Sequence, residues 1–318
     1  MLAGRLTATI LSYTMHPYRP RLSLEAAGEL FHFSKWLLFN NILIFFNNRG
    51  VDFVIGKVGG PQALGLYSVA YEISNLPTTE LVFPISRAVF PGYAKLAGDL
   101  PKLRAAFIDV LSLIALVTVP AGAGIWHIVE PMVYVVLGAK WVEAISLIQV
   151  LAVYGVIRTL HGPTGSVYLA LGKPRVISFL HLVHMAVAVP LLILFMGRYG
   201  IVGAPWAILG AACVSMPVNY AKALHELALP LATVVEAVWR PLTAAAAMLF
   251  VGSWIHSRGL TPMGLGQNLG GLLILITAGA LIYLATVIAL WRLARCPRGA
   301  ESIVLELAKS RLSGSASR

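Results

Sequence analysis

Long runs of apolar residues, separated by short polar segments, dominate the chain. A helix rises 1.5 Å per residue, so about 20 apolar residues cross the hydrocarbon core of a bilayer. Pro77 and Pro84 interrupt the second run and predict a kink or a tilt there. The pattern predicts an all-α fold, a polytopic bundle of about eight transmembrane helices, near residues 36–56, 63–90, 106–128, 143–171, 177–197, 201–221, 241–257 and 269–291.

Composition and charge support a membrane protein and orient it. Of the 318 residues, 58% are hydrophobic and 12% are charged, whereas about 25% of the residues in a soluble domain are charged. The net charge of +11 is scattered between the apolar runs, which argues against a nucleic-acid partner. If residue 35 lies inside, most of the basic residues fall in inner segments, and the positive-inside rule predicts that both termini are cytoplasmic. The outer loops then hold only Lys57, Lys140, Arg198 and Arg258.

No pattern of an enzyme or of a cofactor site stands out. The two cysteines, Cys213 and Cys296, form neither a disulfide framework nor a thiolate metal site. His181 and His184 are three residues apart but have no carboxylate or thiol beside them in sequence, which favours a core role over metal binding. A membrane-bound glycan polymerase or ligase is the serious enzyme alternative, but it needs a sizeable outer loop. The outer loops here have at most about a dozen residues, by the spans above. We therefore predict no enzyme, no cofactor and no metal.

The first predicted span, WLLFNNILIFFNNRGVDFVIG, is unusually polar for a membrane helix. At 100° per residue, Asn41, Asn48 and Asp52 fall within about 40° of one another, with Arg49 beside them. A charge at mid-membrane costs roughly 2.5–3.5 kcal/mol, so such residues normally face a bundle interior or a water-filled cavity. Asparagine also serves as a packing contact between membrane helices. The sequence therefore predicts a cavity face, with packing as the alternative for each single Asn.

Two further spans carry polar stripes. In the second, Glu72 and Asn75 begin a stripe that continues to Thr79 and Ser86. Near its inner end stands Arg87, which either lines the inner mouth of a cavity or extends its charged head to the interface. The fourth span contributes its own stripe, formed by Tyr154, Arg158 and His161. We expect the three stripes to meet.

Several segments resemble the bacterial polysaccharide exporters of the oligosaccharide flippase family, in particular the branch of the colanic acid exporter. The segments are FSKWLLFNNILIFFNNRGVDFVIGKVGGPQALGLYSVAY, LPTTELVFPISRAVFP and YLALGKPR. The resemblance implies two six-helix lobes around a cavity, often with two extra helices, that move undecaprenyl-diphosphate-linked oligosaccharide across the bacterial cytoplasmic (inner) membrane. It covers the second lobe and the extra helices, so we expect the first lobe to be missing or to be supplied by a partner chain.

The predicted organisation follows from this resemblance. Residues 1–33 are the end of a truncated helix and a basic cytoplasmic linker, although residues 1–15 are also compatible with an interfacial anchor. Residues 34–224 form the six-helix lobe, residues 225–292 two additional helices, and residues 293–318 a basic cytoplasmic tail. The expected partners are lipid-linked oligosaccharide and membrane lipids. The alternative function is a non-transporting membrane scaffold or an inactive remnant that only packs against partner helices.

The candidate site residues divide into three roles. Arg49 and Arg158 are the first choices for binding the diphosphate, because arginine forms fork-like, charge-assisted hydrogen bonds with phosphate oxygens. Asp52 and Glu72 either neutralise these arginines or bind a coupling cation. The amide and hydroxyl groups that line the cavity for substrate are Asn41, Asn48, Asn75 and Tyr154.

The missing lobe and the pair of charged residues Arg49 and Glu72 each lead to a structural expectation. A lobe without its facing lobe should be an open-sided bundle with Asn41, Asn48, Asp52 and Glu72 on its exposed concave face. Arg49 and Glu72 lie at matching depths on helices joined by the short loop KVGGPQ, which favours antiparallel neighbours. We therefore expect these two side chains to meet or to face the same cavity.

Overall fold

The computed structural model describes residues 4, 7, 11–14, 27–258, 269–295 and 299–303. Within these ranges the chain forms helices and short connections and contains no strand, so the predicted all-α fold is confirmed. The predicted helix end at residues 1–15, the linker up to residue 33 and the basic tail lie largely outside the described residues. The main helices are α1 (Ala27–Pro77), α2 (Phe83–Leu96), α3 (Leu100–Met132), α4 (Ala144–Ala170), α5 (Pro174–Tyr199), α6 (Gly203–Leu227), α7 (Leu231–Ser257) and α8 (Leu269–Leu293).

Helix α1 consists of two helices joined at Gly60. Gly60 has φ 80° and ψ 178°, a conformation that is accessible to glycine and strained for other residues. Pro61 follows it, and proline is favoured in the first turn of a new helix. The break falls between the first two predicted spans, so the α1 segment 61–77 forms a separate arm from the segment 27–59.

The second arm continues past Pro77 through a π-helical turn, Thr78–Val82, into α2. Proline removes one backbone donor and crowds the preceding turn, which displaces the helical hydrogen bonds around it. The kink predicted from Pro77 and Pro84 is therefore present as a change of helix type. Residues 61–96 form one nearly continuous helical arm with this turn near its middle.

By length and composition, five helical stretches could cross a membrane: Leu100–Leu137, Ala144–Ala170, Pro174–Leu227, Leu231–Ile255 and Leu269–Leu293. Pro174–Leu227 contains both α5 and α6, so these stretches include the last six of the eight predicted spans. The first two predicted spans lie in helical residues of α1 and α2 but fall outside the five stretches. Their asparagines and charged residues make them less apolar than the other helices.

Two apolar cores hold the bundle together. One includes Ile55, Tyr67, Leu151 and Ile208 and joins α1, α4 and α6. The other surrounds α3 with residues of α2, α4, α6, α7 and α8, and Phe107 is fully buried in it. Helix α3 also packs along α4, and a Cβ atom at Gly122 would lie 2.3 Å from Cγ2 of Val156. Helix α3 therefore connects the helices of the predicted lobe to α7 and α8.

Charged contacts fasten the end of the bundle that the charge bias predicts to be cytoplasmic. Asp99 caps α3 by accepting a hydrogen bond from the Lys102 backbone N–H at 3.2 Å. The hydrogen bond from the Lys102 side chain lowers the pKa of Asp99. Arg104 donates to the carbonyl of Leu227 at the end of α6. These contacts place the start of α3 beside the end of α6.

Candidate functional site

Arg158 lies near the middle of α4, in the polar stripe that it shares with Tyr154 and His161. At about 1.5 Å per residue, it is about 21 Å from the first residue of α4 and about 18 Å from the last. The residue is exposed, although the helix around it is among the most buried in the structure. A guanidinium at this depth, on an open face, is costly against lipid and suited to a polar cavity.

Two side chains of the second arm hold the Arg158 guanidinium. Nη1 of Arg158 donates to the hydroxyl of Tyr71 and to Oδ1 of Asn75, the latter at 3.4 Å. Nδ2 of Asn75 donates to the Tyr71 carbonyl at 2.8 Å, which leaves Oδ1 to accept from the arginine. The guanidinium carbon also lies 5.9 Å from the centroid of the Tyr71 ring, within cation–π range. The side chain is thus positioned before any ligand arrives.

Two more tyrosines complete the site. Tyr67 stacks on Tyr71 with ring centroids 5.9 Å apart. Tyr154 stands one turn before Arg158 on α4 and, like Tyr67, is buried. We call Tyr67, Tyr71, Asn75, Tyr154 and Arg158 the Arg158 cluster.

Hydrogen bonds between the second arm and α4 set the register of the cluster. Ser74 Oγ is within 3.2 Å of the Ile148 carbonyl. The hydroxyls of Thr78 and Thr159 are 3.0 Å apart. Buried hydroxyls need such partners because an unpaired one costs free energy. Since these contacts lie on either side of Asn75 along the arm and of Arg158 along α4, they fix which residues of the arm face α4.

The structure joins some of the predicted site residues and separates others. Arg158, Asn75 and Tyr154 share one cluster, as the expected meeting of stripes requires for the second and fourth spans. Asn41 and Glu72 are exposed, and the Asp52 side chain retains 37% of its surface. The side chain of Asn48 lies outside the described residues. Arg87 is exposed near the end of the arm.

Arg49 differs from the expectation of a contact with Glu72. Its Nη1 lies 3.4 Å from Oδ2 of Asp52, one turn along the same helix. Among the ion pairs of the described residues there is none between Arg49 and Glu72. A spacing of three residues brings Arg49 and Asp52 together without help from a second helix. That the two residues face one cavity stays a prediction.

The predicted stripes left out several groups near Arg158. Tyr67 and Tyr71 could have been found, because they precede Asn75 by eight and four residues on the same face. Asn40 is buried, and its Oδ1 lies 2.7 Å from Nδ1 of His181. His184 contacts Ser215 at 3.2 Å. These two histidines therefore join α5 to α1 and α6. In the described part of the chain, no three His, Cys, Asp or Glu residues are grouped to hold a metal.

Comparison with known proteins agrees with this geometry. Residues 1–146 match a family model described as polysaccharide biosynthesis protein. The chain is 34% identical over 165 residues to the lipopolysaccharide biosynthesis protein WzxC of Escherichia coli (strain K12), a match that covers 51% of this chain and 33% of that protein. It is 31% identical over 153 residues to the teichuronic acid biosynthesis protein TuaB of Bacillus subtilis (strain 168), covering 47% and 31%.

A solved structure provides the match in fold. The lipid II flippase MurJ, in an inward closed conformation, superposes with a TM-score of 0.63 at 16% identity, covering 90% of this chain and 59% of that one. Over residues 1–146 the chain resembles polysaccharide biosynthesis proteins. The chain matches about a third of the length of the curated relatives named above. Its fold is that of a MurJ-like flippase.

Proposed function

We propose that this chain forms one wall of a transport pathway across the bacterial cytoplasmic membrane. The pathway carries undecaprenyl-diphosphate-linked oligosaccharide. The product would supply lipopolysaccharide, capsule or exopolysaccharide synthesis. The observation that carries the proposal is an exposed arginine at mid-helix, held in place by Tyr71 and Asn75. The similarity to WzxC and TuaB, which are named as lipopolysaccharide and teichuronic acid biosynthesis proteins, supports it.

The chemistry of the substrate matches the Arg158 cluster. A sugar diphosphate cannot cross hydrocarbon unless its charges find partners. The Arg158 guanidinium has more N–H donors than Tyr71 and Asn75 engage, and arginine can hold phosphate oxygens through two parallel hydrogen bonds. Asn41 and the tyrosine hydroxyls are suited to sugar hydroxyls. Arg158 therefore anchors the diphosphate in this proposal, and the amides and phenols contact the sugars.

Asp52, Arg49 and Glu72 supply the opposing charges. Asp52 forms an ion pair with Arg49. An incoming diphosphate can attract Arg49 away from Asp52, because phosphate carries more negative charge than one carboxylate. Glu72, exposed on the second arm, either repels the departing diphosphate or binds a coupling cation. Arg87 would line the inner mouth.

The proposed pathway needs a facing wall. Helix α1 has an exposed face that includes Leu38, Asn41 and Phe45, and the relatives are much longer than the matched region. We propose that a second lobe, in the same or another chain, covers this side, and that both termini of the described lobe are cytoplasmic. A scaffold that only packs against partners would not require an exposed guanidinium at mid-depth.

Direct binding tests the proposal. The purified chain in detergent should bind undecaprenyl diphosphate at least about 10-fold more tightly than neutral undecaprenol, since a charge-assisted hydrogen bond contributes roughly 1.5–3 kcal/mol. Microscale thermophoresis with a labelled chain would measure both affinities. Equal affinity for the two lipids would mean that only the isoprenoid tail is recognised, and it would favour the scaffold.

A further inference from the structure

A pocket unrelated to the Arg158 cluster lies at the end of the bundle that the charge bias predicts to be cytoplasmic. Its volume is about 460 Å³, and it is formed where the start of α1 meets the first turn of α5. Pro174 and Trp36 are among its mostly apolar walls, and His32, Lys173 and Arg175 bring basic groups to it. Small-molecule sites in proteins have volumes of this order, roughly 300–1,000 Å³.

The aromatic and basic groups of the pocket are arranged together. The Arg175 guanidinium carbon lies 4.7 Å from the centroid of the Trp36 ring, so cation–π contact orients it. Nε1 of Trp36 is buried and has no hydrogen-bond partner among the described residues. A buried N–H without an acceptor is destabilising. An oxygen atom of a bound ligand would satisfy this donor.

The charges around the pocket favour an anion. Lys173 forms an ion pair with Glu226 at 2.5 Å, and both remain partly exposed, at 47% and 23% of their side-chain surfaces. The ion pairs of the described residues include none for Arg175. Lys173 also precedes the first turn of α5 without capping it through its side chain. The positive end of the helix dipole therefore adds to the field of the two basic side chains.

Apolar walls with a basic rim favour a ligand that joins an anionic group to apolar parts over a free anion. Free phosphate needs polar groups on most sides and gains nothing from Pro174, Val176 or the Trp36 ring. A membrane phospholipid presents a phosphodiester beside a glycerol and acyl chains, and tryptophan is enriched where headgroups meet hydrocarbon. Basic groups near an anionic leaflet gain about 1 kcal/mol each from its surface potential, a roughly fivefold effect on binding.

We propose that this pocket binds the phosphodiester headgroup of an anionic phospholipid, with Arg175 and Lys173 on the phosphate and the Trp36 indole donating to one of its oxygens. The lipid would link the start of α1 to α5 in the leaflet at this end of the bundle. Since α1 carries Asn41, Arg49 and Asp52, the bound lipid would also fix the position of that polar face. The site stands apart from the proposed diphosphate site at Arg158.

Native mass spectrometry of the purified chain tests the pocket. After exchange into detergent with phosphatidylglycerol or zwitterionic phosphatidylcholine, the chain should retain phosphatidylglycerol selectively. The double variant Lys173→Gln/Arg175→Gln should lose at least about 10-fold in phosphatidylglycerol affinity, because each side chain gives up a charge-assisted contact with the phosphate. Trp36→Phe should weaken binding by a smaller factor while keeping the ring.

A matched control removes the same charge elsewhere. Lys95 and Lys222 are exposed at the same end of the bundle and do not line the pocket. Lys95→Gln/Lys222→Gln should retain phosphatidylglycerol as the unmodified chain does. An equal loss in the control would show that general charge attraction suffices and would overturn the site. If the chain retains soluble glycerol phosphate as well as it retains phosphatidylglycerol, or if it retains undecaprenyl diphosphate alone, the assignment to a phospholipid is overturned.

Discussion

Replacing Glu301 by alanine is expected to lower the free energy of unfolding by about 3–5 kcal/mol. Nη1 of Arg240 on α7 lies 2.8 Å from Oε1 of Glu301, and the two side chains retain only 7% and 10% of their surface. Removing the carboxylate leaves a buried guanidinium without its counter-charge, which costs far more than the loss of an exposed ion pair. Thermal unfolding in detergent would measure the effect, with size-exclusion chromatography reporting the fraction of protein that stays folded.

The same site offers its own control. Arg240→Met/Glu301→Leu removes both charges together and should recover most of the lost stability, because a buried ion pair can be replaced by apolar side chains at little cost. Lys173→Gln, which breaks the more exposed pair with Glu226, should change stability by less than about 1 kcal/mol. A Glu301→Ala variant as stable as the unmodified chain would show that the segment 299–303 is not anchored through Arg240.

Replacing Arg158 by alanine is expected to weaken binding of undecaprenyl diphosphate by about 10- to 100-fold, the loss of one or two charge-assisted hydrogen bonds. The affinity of Arg158→Lys should fall between those of the unmodified chain and of Arg158→Ala, because lysine keeps the charge but cannot form a fork with two oxygens. Neutral undecaprenol should bind all three proteins alike, since the isoprenoid does not contact a guanidinium in this account. Thermophoresis would supply the affinities.

The control for Arg158 is another exposed arginine. Arg198 lies in the last turn of α5, far along the chain from the cluster, and Arg198→Ala should leave the affinity unchanged. Thermal unfolding separates a binding defect from a folding defect, because Arg158 also holds Tyr71 and Asn75. If Arg158→Lys binds as weakly as Arg158→Ala yet unfolds at the same temperature as the unmodified chain, the fork geometry rather than charge carries recognition. Unchanged affinity in both variants would contradict the assignment.

The sequence predicted the helices better than their contacts. Apolar runs identify helices because each span must satisfy its backbone hydrogen bonds internally, so length and hydropathy suffice. The break at Gly60 and the irregular turn after Pro77 followed from the backbone preferences of glycine and proline. The first two predicted spans are helical and belong to the same bundle, but their polar residues keep them out of the five stretches that are apolar enough to cross a membrane.

Side-chain partners were harder to predict. Arg158, Asn75 and Tyr154 were expected at one cavity and lie in one cluster, because helical periodicity places residues on faces. Arg49 was expected to contact Glu72 or to share a cavity with it, and its ion pair is with Asp52; depth along two helices does not fix their rotation. Asn40 and His181 pair in the interior, whereas their neighbours Asn41 and Leu38 are exposed. Which face is buried depends on the neighbouring helices, and a single sequence does not specify them.

Mapping where the lipid diphosphate binds tests whether Arg158 anchors it. An undecaprenyl diphosphate carrying a photoreactive diazirine next to the diphosphate would be bound to the purified chain, irradiated and located by peptide mass spectrometry. Labels should concentrate on α4 around Arg158 and on the arm segment with Tyr71 and Asn75, and excess unlabelled undecaprenyl diphosphate should remove them. Labels confined to α7 and α8, or to the pocket at Trp36 and Arg175, would contradict the anchoring role of Arg158.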